Sequence, residues 1–270
     1  MTGSLLGFSA AAIVLGAGAY WFWLIQRVRI PKDRTAFGIV TVVAMLLGIA
    51  AFVRGPSLAG GIAAGIALLV GTLTLALFAS SGQARVTPAV AVGGAVLDFT
   101  ATDADGHPFD LARLRGRPVL LKFFRGHWCP YCTAELRRWE ELRPELDARG
   151  IEIVTVCADT AAQIRAGRGK HGLRATMIPD PDLVITDRYN LRNPKSFALK
   201  SGVIVPLPIP TTVLIDATGT VRWIDQATDY LRRSDPDRVL AAIRSQPKCS
   251  PASPADESRT SRATVAGHEG

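Results

Sequence analysis

Two cysteines separated by two residues, Cys129 and Cys132, are the part of the chain whose residue types and spacing do chemistry. Thiols at that spacing come within disulfide distance inside one helical turn, so two electrons are stored or released by closing or opening a single bond. They lie in Phe123-Phe-Arg-Gly-His-Trp-Cys-Pro-Tyr-Cys132, which reads as a strand-to-helix junction. Backbone N–H groups and the positive dipole end at a helix start stabilise a thiolate, the form that attacks peroxides and disulfides. Arg125 and His127 add positive potential beside it. Two metal readings use the same residues. Half of a tetrahedral zinc site would need two more ligands, and Cys157 and Cys249 are isolated. A module holding a soft ion such as Cu(I) through Cys129, Cys132 and His127 lacks a further well-placed ligand. The expectation is therefore a redox pair, with no cofactor and no resident metal.

The flanking segments must position that pair. Val119–Phe124 is an apolar run interrupted by Lys122, as for a central strand, and Cys132–Arg149 carries Leu136, Trp139, Leu142 and Leu146 on one helical face. Pro144 should kink that helix. Ile151–Cys157 reads as the next strand, Thr160–Lys170 and Asp182–Leu191 as helices. Thr211–Ile215 and Val221–Ile224 flank Asp216-Ala-Thr-Gly-Thr as a hairpin, and Ser234-Asp235-Pro236 starts a last helix to Arg244. Upstream, Val96–Thr100 suggests a short strand, with a turn at Gly106 before Phe109–Leu114. This order is α/β, with a mixed sheet ending in an antiparallel pair.

The 270 residues carry a net charge of +8 and 48% hydrophobic residues, unevenly distributed. Residues 1–80 hold five basic side chains and one acidic, so the excess is +4 there and +4 in the remainder. The nearly balanced second part has no Lys/Arg run with interleaved aromatics, which excludes nucleic acid as a partner. Sparse cysteines and non-periodic glycines exclude disulfide-framework and collagen-like classes. Ser4–Ile25, Thr35–Val53 and Ala59–Ala79 are free of charge, each near the ~20 residues that span a bilayer. They predict three transmembrane helices, the first retained because no basic residue precedes it and Tyr20, Trp21, Phe22 and Trp23 end it as an interfacial anchor. Arg27, Arg29, Lys32 and Arg34 place the first loop inside, the N-terminus outside and the C-terminal domain in the cytoplasm. Gly61 and Gly65 form a small-xxx-small pair. The expected organisation is an anchor at 1–80, a linker at 81–87, a domain at 88–246 and a disordered tail at 247–270, rich in Ser, Pro and Ala.

Trp128-Cys-Pro-Tyr-Cys132 after an apolar strand, with Ile209-Pro-Thr-Thr-Val-Leu-Ile-Asp216 downstream, resembles the thioredoxin-fold superfamily. More narrowly it is similar to the alkyl hydroperoxide reductase/thiol-specific antioxidant, or peroxiredoxin-like, branch over about residues 88–246, including Leu97-Asp-Phe-Thr and Asp180-Pro-Asp-Leu…Arg188-Tyr-Asn-Leu. The resemblance implies a thioredoxin-like sheet flanked by helices, and a cis proline beside the redox pair at Pro210. It implies a thiol-dependent enzyme that reduces hydroperoxides through Cys129 and Cys132, supported by Arg125, Trp128 and Pro210 and recycled by a dithiol donor such as a thioredoxin. The dithiol branch implies that Cys129 attacks and Cys132 resolves, with protein disulfides as the alternative substrate. The peroxiredoxin motif P-x-x-x-T/S-x-x-C, lined up on Cys132, puts Arg125 at its Pro and Cys129 at its Thr. Cys129 replaces that Thr poorly as a hydrogen-bond partner, while offering a thiol to condense with a sulfenic acid at Cys132.

The other candidates have plainer readings. Cys157, ending a strand, reads as a small core residue, and Cys249 as an incidental thiol in the tail. His127 reads as a solvated or hydrogen-bonding neighbour rather than a proton shuttle, and His171 belongs to no constellation. Arg137, Arg138 and Arg143 read as a solvated helix face.

Overall fold

The three charge-free runs form helices α1 (Thr2–Gln26), α2 (Thr35–Val53) and α3 (Leu58–Ala79), each long and apolar enough to cross a membrane. The computed structural model describes residues 2–200, 203–229 and 231–245, so Cys249 and the expected tail lie outside the described residues. Large apolar side chains such as Leu5, Leu46 and Leu69 point outward from the bundle. Small residues face inward: a Cβ on Gly7 would lie 2.2 Å from the Gly60 carbonyl oxygen, so α1 and α3 touch there through their backbones. The expected Gly61/Gly65 contact is not made, since a Cβ on Gly65 would meet nothing within 4 Å. Those two glycines lie one residue, about 100° round the helix, from the buried stripe of Gly60, Ala64 and Ala67.

After α3 the chain forms β1 (Thr100–Thr102), paired antiparallel with β2 (Pro108–Asp110), and then β3 (Val119–Phe124), α4 (Pro130–Glu141) and α5 (Arg143–Asp147). Next come β4 (Glu152–Cys157), α6 (Ala161–His171), β5 (Thr176–Pro179) and α7 (Val184–Arg188). A hairpin of β6 (Arg192–Lys200) and β7 (Val203–Pro208) leads into β8 (Thr211–Ile215), β9 (Val221–Gln226) and α8 (Pro236–Arg244). The main sheet runs β5-β4-β3-β8-β9, with β3, β4 and β5 parallel and β8 and β9 antiparallel, the mixed thioredoxin-like sheet expected.

Strand β3 is central and buried on both faces. Its alternating side chains divide the core: Leu120 and Phe124 join Leu136, Trp139 and Ile243 under α4 and α8, while Leu121 and Phe123 join Tyr189 and Ile185 by α7. Lys122, on the α4 side, is 1% exposed and donates to Glu135 Oε1 at 2.8 Å and to Thr212 Oγ1 at 3.0 Å. A charge in that place requires its partner.

Several boundaries differ from the expectation. The 130–149 segment starts at Pro130, at the N1/N2 position, and breaks at Leu142, which ends α4 and begins α5 because Pro144 has no N–H to continue the ladder. The stretch 182–191 holds only α7, bounded by Leu183 and Asn190 at φ 59° and 54°. Residues 96–99 pair only through single contacts, such as Val96 N–H to the Gly219 carbonyl, so β1 begins at Thr100. β5 and the β6–β7 hairpin were not expected; Pro206 and Pro208 argue against a strand in the sequence but are tolerated in a two-stranded edge hairpin. The Ile209–Pro210 bond is trans, not cis, as the chain runs extended from β7 through Ile209, bonded to the Leu191 carbonyl, into β8.

The packing carries a stability prediction. Lys122→Ala leaves the Glu135 carboxylate buried without its ammonium and is expected to cost about 3–5 kcal/mol in urea unfolding of the detergent-solubilised chain. Lys122→Met with Glu135→Leu should lose far less. Equal losses would show that side-chain volume, not the ion pair, matters here.

Candidate functional site

The end of β3 and the start of α4 hold the two thiols. Cys129 is the N-cap residue of α4 and Pro130 fills its first turn, so no N–H is lost there. Both cysteines are free and buried, at 1% and 0% exposed. Cys132 and Thr133 N–H groups both bond to the Cys129 carbonyl, fixing the first turn.

Over the two sulfurs lies Arg233, from the segment before α8. Its Nη2 is 3.1 Å from Cys132 Sγ and 3.4 Å from Cys129 Sγ, and its Nε is 3.4 Å from Cys132 Sγ. The guanidinium also lies over the Tyr131 ring, 5.7 Å from its centroid. A hydrogen bond from the Cys132 thiol holds Cys129 well below the usual thiol range; burial opposes this, and Arg233 and Arg125 add to it. Burial, together with that same hydrogen bond, pushes Cys132 well above the usual range. One proton is thus shared unequally, and the thiolate belongs to Cys129.

Behind the sulfurs runs a buried polar chain. Lys122 bridges Glu135 and Thr212, and Thr212 Oγ1 lies 2.9 Å from Ser234 Oγ, next to Arg233. Burial raises the Glu135 pKa against the pull of Lys122 and Arg233, and its Oε2 has no hydrogen-bond partner. A carboxyl so placed, one turn from Cys132 on α4, is suited to exchanging a proton.

The expected site residues are distributed as follows. Arg125 contributes positive potential to Cys129, and its guanidinium lies 5.0 Å from the centroid of the Trp128 ring, which is 48% exposed at the rim. Pro210 is buried at the head of β8, where its carbonyl accepts from Ala227 N–H. His127 turns away to Asp159, whose Oδ2 accepts from the His127 backbone N–H at 2.7 Å and lies 3.2 Å from Nδ1. Cys157 is a core residue grouped with those two side chains. Arg143 is buried and pairs with Glu140 at 3.0 Å, so the arginines of α4 and α5 are not one solvated face. Arg233 stands 101 positions after Cys132, and its only sequence signal is the Arg232-Arg233 pair ahead of a helix start.

The anchor reaches this site. Trp21 Nε1 donates to Tyr131 Oη at 3.1 Å, Arg137 donates to Gln26 Oε1 at 3.2 Å, and Arg34 pairs with Asp229 at 2.6 Å. Ile25 and Val28 pack on Ala134. Between α1 and the domain lies a cavity of about 230 Å³, walled by Val28, Ile30 and Leu231 and reaching Tyr131 and Arg233.

Known proteins resemble the C-terminal part of the chain. Residues 92–224 match the AhpC/TSA family. The thiol-disulfide oxidoreductase ResA of Geobacillus kaustophilus is 31% identical over 157 residues, 58% of this chain and 80% of the relative. The soluble secreted antigen MPT53 of Mycobacterium tuberculosis is 30% identical over 159 residues, 59% of this chain and 82% of the relative. Among solved structures, peroxidoxin BcpB from Mycobacterium tuberculosis has the same fold, with TM-score 0.50 and 21% identity over 58% of this chain and 99% of its own.

The charge arrangement makes a pH prediction. Iodoacetamide alkylation of Cys129 should reach its plateau well below the ordinary thiol range, because its thiolate is stabilised. Arg233→Gln should move the inflection upward, toward the ~8.5 of a free thiol. An unshifted profile in that variant would remove Arg233 as a source of thiolate stabilisation.

Proposed function

Since the chain belongs to the AhpC/TSA family and is a thiol-dependent oxidoreductase, we propose that it reduces hydroperoxides, with Cys129 as attacking thiolate and Cys132 as resolving thiol. The observation that carries this reading is the burial of both sulfurs under Arg233, which itself lines a cavity of about 230 Å³. A hydroperoxide brings two small oxygens to such a place, whereas a folded protein has to bring a whole disulfide and its flanking chain. The Cys129 thiolate attacks the terminal peroxide oxygen, the S–O bond forms, the O–O bond breaks, and the departing alkoxide takes a proton to leave as an alcohol. Cys132 then attacks the sulfenic sulfur, closing the disulfide and releasing water, with Glu135 placed to accept its proton. Two electrons from a dithiol donor such as a thioredoxin reopen the bond. In this reading Arg125 strengthens the positive field, Trp128 covers the rim and Pro210 fixes the start of β8 behind the site.

Exchange with protein disulfides is the second reading. Its support is the opposed thiol pKa values, low at Cys129 and high at Cys132, which suit one attacking and one resolving thiol. The copper-module reading loses support, because His127 is engaged with Asp159. The three apolar helices support membrane anchoring, and the basic first loop supports a cytoplasmic redox domain. It packs against that domain through Arg34 and Asp229, as two segments on one side of a bilayer do.

Two measurements test this. With one equivalent of hydrogen peroxide, the reduced chain should lose both thiols quickly, Cys132→Ser should accumulate a sulfenic acid, and Cys129→Ser should react no faster than a free thiol. Fast sulfenic acid in Cys129→Ser would transfer the attack to Cys132; slow peroxide reduction beside rapid cleavage of a model disulfide would establish the exchange reading. For sidedness, a C-terminal reporter should be shielded from protease in intact cells, and its digestion there would overturn the cytoplasmic placement.

A further inference from the structure

A second concavity lies on the same side of the molecule as the redox pair, between the end of α1 and the outer face of α4, with a volume of about 360 Å³. Its walls carry Arg27 and Arg29 from the anchor and Arg137 and Arg138 from the redox domain, against one carboxylate, Glu141. That carboxylate is engaged by Arg138. Arg137 bonds to the neutral Gln26, and Arg27 lies over the Trp23 ring at 5.4 Å, so neither contact neutralises its charge. Four guanidinium groups from two parts of the chain therefore converge with little internal compensation. At ordinary separations such a group repels itself unless an anion fills it.

The depth of the groove identifies the anion. Tyr20, Phe22 and Trp23 are exposed around the end of α1, as aromatic side chains are at the boundary between hydrocarbon and headgroups. Arg27 follows Trp23 by four residues, about 6 Å along a helix axis, which is headgroup depth. The floor, Ala134, is small and packs against Ile25 and Val28, leaving the arginines as the reaching groups. We propose that this groove binds the phosphate of an anionic phospholipid of the surrounding leaflet, which bridges the anchor and α4. Arg27 and Arg29 take the phosphate from the bilayer side, and Arg137 and Arg138 from the domain side. Because Cys129 caps α4 and Cys132 lies in its first turn, the lipid also holds the redox pair at a fixed distance from the bilayer surface.

The test is retention of lipid by the full chain in mild detergent, read by native mass spectrometry after exposure to equal amounts of phosphatidylglycerol and phosphatidylcholine. The wild type should keep phosphatidylglycerol with about tenfold preference. Arg29→Gln with Arg137→Gln should abolish that preference, since about fivefold per charge, taken twice, exceeds tenfold. Arg29→Lys with Arg137→Lys should keep it, which separates charge from folding, as should Arg54→Gln in the other loop. Equal retention of the two lipids, or a preference unchanged by the Gln variants, would overturn the proposal. So would displacement of the bound lipid by a few equivalents of inorganic phosphate, which would mark a site for a soluble anion.

Discussion

A buried guanidinium is the constraint around which the domain is built. Moving such a charge out of water costs several kcal/mol unless anions replace the solvent. Arg233 finds its anion in the Cys129 thiolate, with the Cys132 sulfur beside it and Glu135 acting through space. The cation and the thiolate thus stabilise each other: neither is favourable in that place alone. This explains why a helix start, which lowers a thiol pKa only modestly, here accompanies so unequal a division of one proton between two cysteines.

The sheet supplies the rigidity that this balance needs. β3 delivers Lys122 to Glu135 from below, β8 delivers Thr212, and the segment before α8 delivers Ser234 and Arg233 from the other side. These groups converge from parts of the chain about ninety to a hundred residues apart, and the mixed pairing of β3 with β4 and β8 brings them into one layer. A polar network of this kind is tolerable because nearly every member is paired; Glu135 Oε2 is the exception, and it lies beside the thiol that must give up its proton.

How much of this was legible in the sequence depended on how local each signal was. The Cys-x-x-Cys, the apolar run of β3, the β8–β9 hairpin and the three charge-free helices are short-range patterns, and each appears within a few residues of its expected place. Lys122 was visible as an interruption of an apolar strand, but its partner was not, since Glu135 on a helix reads as one more surface acid. Arg233 was illegible, because nothing near it in sequence distinguishes it from a solvated arginine and only the tertiary fold carries it to the sulfurs. His127 was legible in part: a hydrogen-bonding role could be read, but its partner Asp159 and the turn at Gly126, with φ 149°, that carries it away from the thiols could not. Prolines obscured the β6–β7 hairpin for the same reason that they permit it, being incompatible with the interior of a sheet but not with a ribbon at its margin.

The hydrogen bond from Trp21 to Tyr131 joins the anchor to one of the two residues between the cysteines. With α1 in a bilayer, that contact confines the reactive atoms to a plane. Encounters with anything dissolved in or adsorbed on the same leaflet then become a search over an area, while molecules free in solution must still find the site in three dimensions. The anchor accordingly acts as a kinetic filter, raising the effective concentration of membrane-bound reactants without any change in the chemistry of the thiols.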